Sequence, residues 1–318
     1  MIARLAFILF LAVASTPAPA QTQADAEREL RRILSELAPV WEENIKPGIA
    51  LHLGPSYAEA VRDYPLEILQ GPCLRTPEVR HEDRVGVPIL YPQLQLFFSQ
   101  PWILYALGVD ELGAFARIAD IQDRQYAELR DAQERRCSDE LRGRAPRAPL
   151  PLRSALDELG VSAERYARIN AGLAADPVAV RLAHTAGASA LFIVAHEAAH
   201  AMQVAGLDLS PFSAAEDREL QADDVAFHML EQEDFPMVAA VDVLRLIASL
   251  ERGDDVVERF ADCRVARALA RASPPSPSFF TGQFAVPEPA ARRFTGRLAE
   301  VQTFLAGRYP IELCDGFE

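Results

Sequence analysis

The stretch from Leu191 to Val204, LFIVAHEAAHAMQV, constrains this chain more than any other. It is apolar and rich in alanine, which predicts a helix buried on most sides. Yet it carries three ionisable side chains in the pattern His196-Glu197-Ala198-Ala199-His200. Two residues four apart on a helix differ by about 40° in azimuth and roughly 6 Å in rise, so both imidazoles can reach one point. Glu197 follows the first histidine directly, where its carboxylate can touch a water held at that point without occupying the point itself. Packed without a metal, these groups would put several ionisable side chains into an apolar setting with no compensating charge, which is costly; a bound dication removes that cost. The spacing is that of a zinc hydrolase, with Glu197 as general base.

A site of this kind needs a third protein ligand, and Glu219 in Glu219-Leu220-Gln221-Ala222-Asp223 is the best candidate. It lies on the next expected helix, beyond a turn containing Gly206 and Pro211. A helical hairpin would bring it against the first helix at about 8–10 Å between axes. Asp223, one turn on and on the same face, is placed to accept a hydrogen bond from the ring nitrogen that a ligand histidine keeps free. The other histidines fit less well. His184 is about 18 Å away along an unbroken helix, although Gly187 could interrupt it, and His228 falls about 13 Å beyond Glu219 on the opposite face. His52 and His81 lie in an irregular region and cannot be placed.

HEAAHAMQ followed by ELQADD resembles the gluzincin metallopeptidases, in which H-E-x-x-H is followed by E-x-x-x-D on the next helix. The match is similar to the neutral zinc metallopeptidases and, less closely, to peptidase family M48. It covers roughly residues 188–230. The resemblance implies a zincin-like helical core, zinc on His196, His200 and Glu219, catalysis by Glu197, and support from Asp223 behind the ligands. The cofactor expected is Zn2+ and the partner a peptide or protein substrate.

The address reads from the first twenty residues. Met1 to Arg4 is a short positive region, Leu5 to Ala14 is an apolar run too short to span a bilayer, and Ala18-Pro19-Ala20 offers a cleavage site. A signal peptide over 1–20, cleaved after Ala20, makes the chain periplasmic or secreted, with no stable membrane anchor. The net charge of −14 would become −15 once Arg4 is removed. So acidic a chain is a poor partner for nucleic acid or an anionic membrane face.

Cys73, Cys137, Cys263 and Cys314 form no C-x-x-C pair, which argues against a cysteine zinc site. In an exported chain an even count favours two disulfides, with three possible connectivities. Pairing Cys73 with Cys137 and Cys263 with Cys314 would tie each end to itself, but spacing does not decide among the three.

The expected fold is mainly α, an α+β chain whose strands are confined to a small N-terminal region. Residues 21–145 form that region and 152–318 the helical domain with the H-E-x-x-H segment, joined at the linker Gly143 to Pro151. A first helix is expected over Ala24 to Ile45, ended by Pro47-Gly48. Prolines and glycines then recur to Pro101, and Gly86 to Ser99 is the best strand, pushed toward an edge by Pro88 and Pro92. Such an edge could take a substrate strand. Helices are expected over Trp102 to Cys137, broken near Gly108 and charged from Asp120 to Arg136, and over Ser154 to Gly160, Ser162 to Ala171 and Pro177 to Val204. A capping box at Ser213 to Glu216 is expected to start the helix carrying Glu219. Three more helices follow, over Pro236 to Leu250, Asp254 to Arg271 and Pro289 to Arg308, with a proline-rich loop from Ser273 to Pro289.

The expected chemistry is hydrolysis of a peptide bond. An oxyanion donor would be drawn from His228, Tyr309 or an arginine. Two rival readings are a non-catalytic binding or scaffold protein with a degenerate peptidase domain, and a zinc amidase on a non-peptide substrate. Glu197 argues against degeneration, because it has little structural reason to stand where it does.

Overall fold

The computed structural model describes residues 39, 41–69, 73, 78–80, 84–88, 115–145, 164, 177–233, 238–250, 255–272, 277 and 287–317. The signal segment, His81, residues 89–114, the helices expected between 154 and 171 and most of the proline-rich loop lie outside them.

The fold is mainly helical. A π-helical turn, Trp41–Ile45, runs into α1 (Lys46–His52), followed by α2 (Pro55–Val61). Three short strands come next, β1 (Leu66–Leu69), β2 (Glu78–Arg80) and β3 (Arg84–Pro88). The remaining elements are α3 (Phe115–Leu141), α4 (Pro177–Val204), α5 (Arg218–Gln232), α6 (Val238–Leu250), α7 (Asp255–Arg271), α8 (Glu288–Arg308) and a 3-10 turn, Ile311–Cys314.

The first helix does not end at Pro47-Gly48. The wide turn before it places Pro47 in the first turn of α1, where a missing N–H leaves nothing unpaired. Gly48 is buried there, close to Met229 of α5. α2 was not expected either; Gly54, at φ 114°, turns the chain, and Pro55 opens the helix.

β3 is the central strand of a sheet ordered β1-β3-β2, not an edge. It pairs parallel with β1, Leu66 opposite Val85 and Leu69 opposite Pro88, and antiparallel with β2, Glu78 opposite Gly86. Pro88 is tolerated because it lies two residues beyond the last pairing with β2. Both β2 and β3 pack against α4.

One apolar core runs from Trp41 to Leu305. α4 crosses it, with Leu191 to Ala195, Ala198, Ala199, Ala201 and Met202 all buried. The charged run of α3 is not a wholly solvated face. Ile121, Tyr126 and Leu129 enter the core, and Asp123 pairs with Arg245 of α6, a guanidinium almost wholly buried and also bonded to Asp242 at 3.1 Å. The disulfides are Cys73–Cys137 and Cys263–Cys314, the pairing that ties each end to itself.

Candidate metal centre

Helix α4 is unbroken from Pro177 to Val204, passing straight through Gly187. His184 is therefore three turns from His196 on the same rod. The helix ends where a glycine allows it. Gly206, at φ 74°, donates to Gln203 O and Leu207 donates to Met202 O, the crossed pair of bonds that closes a helix C-terminus.

α5 starts at Arg218, not at Ser213. Asp217 is the cap, its carboxylate accepting from the amides of Glu219 (2.8 Å) and Leu220 (3.2 Å). Ser213 is drawn off to another task. Its hydroxyl donates to buried Asp224 at 2.7 Å, and Asp224 is held from the other side by Arg267 and Arg271 of α7. Glu219 thus falls in the first turn of α5. The two helices pack closely, with Ala222 and Ala226 of α5 fully buried and the rings of Phe192 and Phe227 5.1 Å apart.

The hairpin brings His196, His200 and Glu219 together. The Nε2 atoms of the two histidines are 3.1 Å apart. Glu219 Oε2 is 3.3 Å from His196 Nε2, and its Oε1 is 3.2 Å from His200 Nε2. These separations of 3.1, 3.2 and 3.3 Å are close to the ligand–ligand spacing of a tetrahedral ion with ligands at roughly 2.0–2.1 Å.

An ion pair behind one ring and a hydrogen bond behind the other set which nitrogen faces the cluster. His196 Nδ1 lies 2.9 Å from Asp223 Oδ1. Asp223 is in turn gripped by Arg264, Nε to Oδ2 at 2.8 Å and Nη2 to Oδ1 at 2.9 Å. A carboxylate so held can only accept, so in the neutral His196 ring the proton belongs on Nδ1. His200 Nδ1 is 2.9 Å from Gln203 Oε1. Gln203 cannot be turned over, because its Oε1 accepts from Arg218 Nε and its Nε2 donates to the carbonyl of Arg218. His200 therefore also carries its proton on Nδ1. Both Nε2 lone pairs and the Glu219 carboxylate converge on one place, an arrangement that repels itself unless a cation or a proton stands there.

Electrostatics agree with the geometry. Burial works against charging the His196 ring, but Asp223 and Glu219 outweigh it and raise the pKa from 6.5 to about 9. Burial likewise opposes ionisation of Glu219, yet the two histidines and Arg264 hold it well below the usual carboxylate range. Asp223 is also lowered, Arg264 and His196 overcoming its burial. Glu197 behaves differently. Burial pushes it up to about 7 against the pull of both histidines, and its Oε2 is buried with no hydrogen-bond partner among the described residues. That orphaned oxygen, the three converging donors and the two oriented rings fit a divalent metal with nitrogen and oxygen ligands.

Several candidates stay apart. His228 packs on the ring of Phe212, centroids 5.2 Å apart, and His52 contacts Glu233 at 2.8 Å. Tyr309 belongs with Arg245 and Asp123. Sequence reasoning missed Arg264 and gave Gln203 no role. Arg264 sits among ordinary helix residues with no spacing tied to the motif. Gln203, one turn after His200, had a usable signal: a polar side chain at the i+3 position can reach back to the ring.

Comparison with protein-family models, with curated proteins and with solved structures finds no match to this chain.

Proposed function

We propose that this chain is a zinc-dependent peptidase in which His196, His200 and Glu219 hold the metal and Glu197 is the general base. The single observation that carries the reading is the convergence of three ligand atoms from two helices beside a buried, unpartnered carboxylate oxygen. Zinc, when bound, supplies Lewis acidity and lowers the pKa of a bound water.

The chain's own residues do the rest. Asp223 and Gln203 hold the two imidazoles with Nε2 toward the ligand point. Glu219 brings a negative charge to it, which favours a cation there. Glu197, beside both histidines and buried to 2% exposure, is placed to take a proton from an attacking water and to hand it to the leaving amine. A dication nearby favours its ionised, basic form. A peptide bond is the proposed substrate class because a zinc ion beside a carboxylate base is suited to hydrolysing an amide.

The test is zinc content together with turnover of casein or a peptide library. Glu197→Gln should keep the zinc and lose about 10²–10⁴-fold in turnover. A protein that takes up no zinc, or a Glu197→Gln variant as active as the wild type, would sink the proposal.

A further inference from the structure

Arg264 of α7 is 45 residues from the nearest expected ligand in the sequence, and only 3% exposed. Its guanidinium makes two parallel contacts with Asp223 and a third with Glu219, Nη1 to Oε2 at 3.3 Å. One planar fork thus touches a metal-ligand candidate and the residue behind another. The contact to Glu219 falls on the same oxygen that faces His196, which leaves Oε1 toward His200.

We infer that Arg264 is a positioning residue for the metal centre: it sets the direction of the Glu219 carboxylate and, through Asp223, of the His196 ring. The inference rests on the metal reading above. Glu219 needs such a holder. Its side chain is 42% exposed and stands in the first turn of a helix, where a glutamate is free to swing into solvent. Asp223 needs one for a different reason, since it is buried and must stay ionised to fix the His196 tautomer. A guanidinium serves both at once because its donors are fixed in one plane. An ammonium is a point charge and cannot span the two carboxylates in the same way.

Charge supports the assignment. Glu197, Glu219 and Asp223 set three carboxylates against the one guanidinium of Arg264. Fully ionised, they leave two negative charges, which one divalent cation balances. Without Arg264 the same cation would leave a buried surplus of negative charge.

The experiment compares zinc affinity by competition with a chromophoric chelator in the wild type, Arg264→Lys and Arg264→Gln, at a temperature where each metal-free protein is folded. Thermal unfolding in EDTA reports the metal-free fold separately. Arg264→Lys is expected to melt near the wild type in EDTA and to bind zinc 10–100-fold more weakly, the usual loss when an outer partner of a ligand is removed. Arg264→Gln, which keeps N–H donors but no charge, is expected to lose at least as much. Variants that hold zinc as tightly as the wild type would overturn the role of Arg264. A wild type that binds no zinc would overturn the metal reading itself, so the two failures are distinct.

Discussion

Asp223 Oδ1 lies 2.9 Å from His196 Nδ1, and both side chains are buried. The carboxylate is one helix away from the ring it orients. That places the tautomer of a metal-ligand candidate under the control of the α4–α5 packing rather than of solvent.

Asp223→Asn removes the charge while keeping the shape. It should weaken zinc binding about 10–100-fold, measured by chelator competition, because a neutral amide oxygen accepts the Nδ1 proton more weakly than a carboxylate and leaves Arg264 short of a counter-charge. An affinity unchanged from the wild type would show that the ring is oriented by something else.

Metal-free stability should fall as pH rises from about 6.5 to 9. His196 has its folded pKa raised from 6.5 to about 9, so its contribution is complete below 6.5 and is lost through 9. Glu197 is raised from 4.5 to about 7, so it also favours the folded state at lower pH, and that preference is lost through 7. Glu219 and Asp223 are lowered, and their contributions disappear only on acidification below their unfolded values of 4.5 and 3.8. Zinc needs the neutral His196 ring, so its affinity should rise with pH over the same interval in which the metal-free fold weakens. Melting temperatures in EDTA and in excess zinc, taken from pH 6 to 9, should therefore diverge.

Asp217→Ala should cost about 1 kcal/mol in urea unfolding, the usual loss for a helix cap. Glu216→Ala, which a capping box at Ser213 would make costly, should change stability by less than about 0.5 kcal/mol, because Glu216 is exposed.

Replacing Cys263 and Cys314 together with serine should destabilise the chain by up to about 4 kcal/mol, the entropy of a loop about fifty residues long. Urea midpoints of the two proteins measure it.

Much of the hairpin is legible in the sequence. A two-helix candidate cluster is written in local spacing: four residues fix His196 and His200 on one face, and four more align Glu219 with Asp223. Pro177 and Val204 bound α4 as expected, because proline and the apolar run are local signals. The start of α5 was not legible. Ser213 heads a capping-box pattern, but its hydroxyl is taken by buried Asp224, and Asp217 caps the helix instead. Arg264 was hidden for a related reason. Its role depends on how α7 packs, and a long-range ion pair has no period in the sequence. Of the strand expected over Gly86 to Ser99, only Gly86 to Pro88 lie among the described residues, and they belong to β3, a central strand whose pairing partners are distant in sequence.

The disulfide at Cys263 adjoins Arg264 and fastens α7 to the turn at Ile311–Cys314. This sets an order in time. A growing chain that has reached residue 264 already carries every side chain of the proposed centre, but not the cross-link that braces the helix holding Arg264. Fifty further residues must be made and two thiols oxidised first. If the proposed centre holds its metal, a chain kept reduced is expected to load it less completely than one allowed to close the bond.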